Sequence, residues 1–431
     1  MAKLNRSKNL FTSQLLISRK FKVDVGTNVA SLVFLGIAGV IINVLIVRFY
    51  GAQALGVYNE VYAIYIIVSQ FAAFSVHLSV QKYLSEKPKK NVANQITTSS
   101  LLLVLVFSTV IAFIIYFSKN LWGLWFHNGD VSRGIGLTAF GLIGFALNKT
   151  LLAVLNGHRA MKAFAFFQSL RYFLILSFLT TAIFFKWPAW ILPGSLSFAE
   201  ATTFIILFSY TIRYFKITFK LHGWLKKHLI FGYHALAGNV LVDVNTRVDV
   251  IILGFFTTTT AVGIYSFAAA IAEGFYQLLM VLKNNVNPIL SRMVAQKNKP
   301  DLKKFIHRGI RLTYQFFTLL ALLAIILYPI GLKLLVGNQN LTQSWLVFTF
   351  LLAGLTLSAG YQPFQSLLVQ VGFPKYYSLL VTIIFLTNVI FNLILVPSLG
   401  IYGSAIATSI SFIISAVTLK LLTWKALRIK I

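Results

Sequence analysis

Twelve apolar stretches of about twenty residues, separated by short gaps in which lysine and arginine collect, dominate this chain. They lie near 25–48, 57–81, 95–117, 135–155, 164–185, 199–215, 232–256, 262–287, 310–332, 343–370, 379–396 and 401–423. Each is long enough for a helix to cross the hydrocarbon core of a bilayer, about 30 Å thick. Inside lipid only helices and closed barrels satisfy their own backbone hydrogen bonds. With 58% hydrophobic residues and a mean hydropathy of +0.81, the apolar surface exceeds what a globular core can bury. The expectation is an all-α integral membrane protein with about twelve transmembrane helices.

The gaps set the orientation. Arg48, Lys119, Arg133, Lys186 and Lys333 fall on one side, five further basic residues lie within the spans, and the other 28 of the 38 fall on the side of the N-terminus. By the positive-inside rule both termini are expected in the cytoplasm. A net charge of +29 in a soluble chain would suggest nucleic acid, but no folded polar surface is available to present a basic face, so nucleic acid is excluded as a partner. Membrane lipids take that place, with anionic headgroups attracted to the basic loops. Met1 to Asp24 has basic residues around a short apolar patch and no cleavage-site pattern, so it is expected as a cytoplasmic interfacial helix or basic tail. The chain has no cysteine, which removes disulfides, thiolate metal sites and cysteine nucleophiles.

Two segments echo each other at matching places. Gly56-Val57-Tyr58-Asn59-Glu60-Val61-Tyr62-Ala63-Ile64 opens the second span, and Gly263-Ile264-Tyr265-Ser266-Phe267-Ala268-Ala269-Ala270-Ile271 opens the eighth. Parallel repeats predict two pseudo-symmetric six-helix lobes around a central cavity. The organisation expected is a basic segment at 1–24, an N-lobe over 25–215, a basic cytoplasmic linker at 216–231, a C-lobe over 232–423 and a tail at 424–431.

Ionisable side chains within lipid are costly and are functional candidates by default. The basic ones are Lys149, Arg171, Arg247, Lys283 and Arg311, and the acids at comparable depth are Asp243, Asp249 and Glu273. Lys149 and Arg171, with Gln168 and Tyr172 beside the arginine, either form a cationic patch or snorkel to the headgroups. In the seventh span Asn239, Asp243 and Arg247 align at i, i+4 spacing on an expected continuous helix. Asp243 and Arg247 then either pin that helix as a self-neutralised pair or form a relay that binds an anion or a proton. Glu273 is the natural carrier of a coupling proton or sodium ion, or else a salt-bridge partner of a buried cation, and Asp243 and Asp249 are further ion-coupling candidates. No catalytic motif, metal-ligand cluster or cofactor signature is present, and the reading is of a protein that is not an enzyme.

The chain resembles the polysaccharide-repeat-unit (Wzx-type) flippases of the multidrug/oligosaccharidyl-lipid/polysaccharide exporter superfamily. The resemblance rests on Arg48-Phe49-Tyr50-Gly51 followed by Gly56-Val57-Tyr58, and on Asn156-Gly157-His158-Arg159. It continues through Arg247-Val248-Asp249-Val250-Ile251-Ile252-Leu253-Gly254, Pro288 closing the eighth span, and Pro397-Ser398-Leu399-Gly400-Ile401-Tyr402-Gly403-Ser404. It implies transport of an undecaprenyl-diphosphate-linked oligosaccharide from the inner to the outer leaflet of a bacterial cytoplasmic membrane, beside a polysaccharide polymerase and chain-length machinery. Arg171 and Arg247 would then hold the diphosphate bidentately, Lys149 would add a point charge, and Arg171→Gln would lose transport at normal abundance. A drug or organic-cation antiporter of the same superfamily would instead favour acids in its cavity. A membrane-embedded polymerase or glycosyltransferase would carry a long external loop with catalytic groups.

Overall fold

The protein is described here by a computed structural model over residues 19–221, 223–296, 299–337 and 340–427. Most of the 1–24 segment and the end of the 424–431 tail lie outside these residues. Among the described residues the regular structure is entirely helical. The N-terminal half contains α1 (Arg19–Ala73), α2 (Val76–Ser85), α3 (Lys90–Trp125), α4 (Gly129–Thr138), α5 (Gly141–Gly157), α6 (Met161–Phe184) and α7 (Gly194–Thr211). The C-terminal half contains α8 (Trp224–Asn245), α9 (Val248–Phe256), α10 (Thr259–Ala295), α11 (Lys299–Val336), α12 (Gln343–Ser358), α13 (Leu367–Gln370) and α14 (Pro374–Leu427).

Helices α1 and α14, of 55 and 54 residues, would each be about 80 Å long if straight. Neither is straight. Gly51 (φ 83°) and Gly400 (φ 54°) take left-handed conformations that glycine alone adopts without strain, and the chain folds back at both. Asn59 donates to Asn43 Oδ1 at 3.3 Å across the first bend, although 16 residues of helix would hold the two about 24 Å apart. Across the second, Ser404 donates to Asn392 Oδ1 at 2.8 Å. Each long helix is therefore a hairpin of two crossings.

Among the described residues, nine helices or bent helix pairs are long and apolar enough to cross a membrane, the hairpins add one crossing each, and the interrupted α8–α9 rod supplies the last, giving twelve. The bent pairs are α4–α5, by 46°, and α12 with the turn and helix after it, by 55°. Pro363 sits in the 3-10 turn of the second bend. Pro288, in contrast, does not close the eighth span, because α10 continues through it to Ala295.

The echoed segments pack on each other. A Cβ on Gly263 would collide with the Ala52 carbonyl, and one on Gly56 with the Thr259 carbonyl, so the second and eighth spans touch backbone to backbone. Asn128 adds a hydrogen bond to Thr259 Oγ1 at 3.1 Å. This contact lies at the face opposite the basic loops. Toward the basic face the C-terminal half grips its neighbour through α8: His228 meets Ser79 at 2.8 Å and Asn239 donates to Ser75 Oγ at 2.9 Å. Ser75 and Phe74 both have positive φ where α1 gives way to α2, a strained break held from across the lobe boundary.

Candidate functional site

Between the two contacts lies a cavity of about 350 Å³, walled by both halves. Its charged residues are Arg171, Arg247, Asp249 and Glu273, with Tyr172 next to the first arginine. Lys149, Asp243 and Gln168 are not among its lining residues, so five of the eight candidates named from the sequence converge here. Gln168 is half-buried one turn before Arg171. Amides complete the wall, with Asn43 and Asn59 paired on the first two spans and Asn388 donating to Asn245 at 3.3 Å.

Arg171 is fixed by its surroundings. Its Nε lies 2.6 Å from Glu200 Oε1, a carboxylate only 1% exposed, in a close ion pair without hydrogen-bond alignment. Asn148 donates to Glu200 Oε2 at 2.8 Å and to the Glu200 carbonyl at 2.9 Å, which locks the acid. The guanidinium also lies 5.0 Å from the centre of the Phe145 ring, a cation–π contact.

Arg247 does not sit on a helix. The seventh span breaks at Thr246 and Arg247, with Arg247 at φ −135°, and α9 starts afresh at Val248. The expected Asp243–Arg247 pair is therefore not formed, because i, i+4 alignment requires an unbroken helix. Arg247 instead faces Glu273 at 3.7 Å and lies 4.9 Å from the Tyr62 ring centre, and Tyr62 is stacked on Tyr58. Asp243 turns to Lys149 at 4.0 Å, and the same lysine donates to Gln70 Oε1 at 2.8 Å. Asp249 accepts from the Tyr265 hydroxyl at 2.5 Å and from the Val250 amide at 2.9 Å.

The sequence reading misses two buried acids. Glu200 belongs to a sixth crossing that begins near Ala189; a span starting at 199 leaves it at the interface, and the early start carries it inward. Glu60 is fully buried, with both carboxylate oxygens lacking hydrogen-bond geometry, although its place inside the repeated segment was a usable signal. With these two the intramembrane balance becomes five basic to five acidic, which corrects the expected excess of cations. Arg311 contributes little to that balance, being exposed on α11.

Comparison with known proteins agrees with this architecture. The chain is 27% identical over 181 residues to the probable flippase AglR of Haloferax volcanii, a match covering 39% of this chain and 36% of that protein. The chain thus spans about a third of that relative's length. A lipid II flippase MurJ in an inward closed conformation superposes with a TM-score of 0.77 at 16% identity, covering 91% of this chain and 86% of the other. A multidrug resistance MATE family transporter of the MOP superfamily, inward-facing, superposes with a TM-score of 0.75 at 13% identity over 93% and 98%. These likenesses establish a multi-pass helical membrane protein with the two-lobe fold. The sequence model of the polysaccharide biosynthesis protein family matches residues 24–294, well over half of the chain, and the protein belongs to that family.

Proposed function

We propose that this protein is a flippase that moves undecaprenyl-diphosphate-linked oligosaccharide from the inner to the outer leaflet of a bacterial cytoplasmic membrane by alternating access. The observation that carries the reading is the cavity between the halves, whose wall brings Arg171 and Arg247 together among tyrosines and amides. Guanidinium groups match phosphate oxygens bidentately, and Asn43, Asn59, Asn245 and Asn388 offer the donors and acceptors that sugar hydroxyls need. The polyprenyl chain stays in lipid. In this reading the lobes extend over 25–215 and 232–423, joined by a linker at 216–231 whose end is helical, since α8 begins at Trp224. A polymerase and chain-length machinery would consume the product at the outer leaflet.

Loss of the protein is expected to leave lipid-linked repeat units on the cytoplasmic leaflet and to stop surface polymer from appearing. Both are read from the lipid-linked intermediates of a deletion strain. Asp249 and Glu273 in the same cavity support the competing antiporter reading. Normal polymer with altered drug or organic-cation efflux in the deletion strain would decide for it.

Orientation is testable because the chain lacks cysteine. An impermeant thiol reagent added outside intact cells should label Gly129→Cys and spare Gln296→Cys, two exposed positions on opposite faces; labelling of position 296 would reverse the topology. Asn298, a natural choice from the sequence, lies outside the described residues.

A further inference from the structure

The two cavity arginines have carboxylate partners of different character. Glu200 is 1% exposed, 2.6 Å from Arg171 and locked by Asn148. Glu273 is 49% exposed and 3.7 Å from Arg247, beyond hydrogen-bond distance, and among the described residues no hydrogen bond from another side chain holds it. Beside it Gly274 faces open space, so the helix wall leaves room for the Glu273 side chain to turn aside. Arg247, by contrast, is backed by the Tyr62 ring at 4.9 Å, a contact that does not involve the carboxylate.

We infer that Glu273 is a resident stand-in for the substrate: its carboxylate occupies the anion position on Arg247 in the empty transporter and is displaced when a diphosphate binds. This rests on the flippase reading above. An unpaired arginine inside the membrane is costly, so the empty cavity needs a counter-ion of its own. A carboxylate held loosely on the same side of the guanidinium supplies one, then competes with the phosphate oxygens for the same donors. Competition weakens binding of the diphosphate and speeds its release, because the carboxylate returns as the phosphate departs. A cavity whose arginines each face a carboxylate when empty, as these do, can thus still receive an anion. Glu200 has no such freedom, which makes Arg171 the fixed cation of the site and Arg247 the exchangeable one.

The test uses the purified full-length protein and two diphosphate probes, inorganic pyrophosphate and farnesyl diphosphate, with binding followed by calorimetry. Glu273→Gln keeps the side-chain shape but ends the competition, and should bind at least one probe about tenfold tighter than the natural protein. Glu273→Asp, whose shorter arm pulls the charge back, should fall between the two and guards against misfolding of the glutamine variant. Adding Arg247→Gln to Glu273→Gln should remove the gain. A gain with farnesyl diphosphate alone supports a site shaped for a lipid headgroup, and a gain with both supports a site for any diphosphate. Equal affinity of the natural protein and Glu273→Gln would overturn the stand-in role while leaving the flippase reading intact. No binding of either probe to any variant would overturn both.

Discussion

Arg171→Gln should lower the abundance of the protein several-fold and its melting temperature in detergent by several degrees, and the loss should be repaired by adding Glu200→Gln. Removing one member of a buried pair strands the other, at a cost of about 3–5 kcal/mol, whereas removing both leaves two neutral amides, the one at position 200 still within reach of the Asn148 donor. This revises the expectation from sequence that the single variant would fail at normal abundance. The double variant then separates two roles. If Arg171 only braces the fold, restored abundance brings restored polymer export; if it holds the diphosphate, the double variant is abundant and inactive. Arg171→Gln at full abundance would mean that the Glu200 pair is not as structural as its burial indicates.

Gly263→Ala combined with Gly56→Ala should cut transport at least tenfold and make the cavity reachable from the face opposite the basic loops. Both added methyls fall on backbone carbonyls that cannot turn away. Overpacking of this kind costs about 1–3 kcal/mol, enough to shift a two-state equilibrium by roughly 5- to 150-fold against the closed contact. The readout is labelling of Ser266→Cys, a buried cavity position, by an impermeant thiol reagent from outside. Unchanged labelling and normal transport would show that the glycine contact does not close that face.

The twelve crossings were legible because apolar run length and the placement of lysine and arginine are properties of the chain itself. The pairing of the lobes through Gly56 and Gly263 was half-legible: the echo was visible, but not that the repeats touch. Partners across the membrane were not legible. Asp243 and Arg247 pair at i, i+4 only on a continuous helix, yet Val244-Asn245-Thr246 is a run of weak helix formers, and the helix ends within it at Asn245. Glu200 was lost to a span boundary misplaced by several residues, an error that moves a carboxylate from headgroup to interior. Gln168 shares a helix face with Arg171 but stays out of the cavity, because it lies one turn nearer the start of α6, below the cavity wall.

The locations of the ion pairs bear on how such a protein can move. Arg171 and Glu200 both belong to the N-terminal half, and Arg247 and Glu273 both belong to the C-terminal half. Of the intramembrane pairs among the described residues, Lys149 with Asp243 alone bridges the two, at 4.0 Å and in a partly exposed setting. Apart from that bridge each lobe carries its own counter-ions, so tilting one against the other parts a single, partly exposed pair of opposite charges rather than the buried arginine pairs. At the face opposite the basic loops, what separates is a contact of glycine backbones, the Phe126 ring on Gly254, the Trp125–Phe255 edge contact and one amide–hydroxyl hydrogen bond, none of them ionic. The two cavity arginines keep their carboxylates as the lobes rock, so the charges inside the membrane should make that motion respond weakly to bulk salt even though the chain carries a net charge of +29.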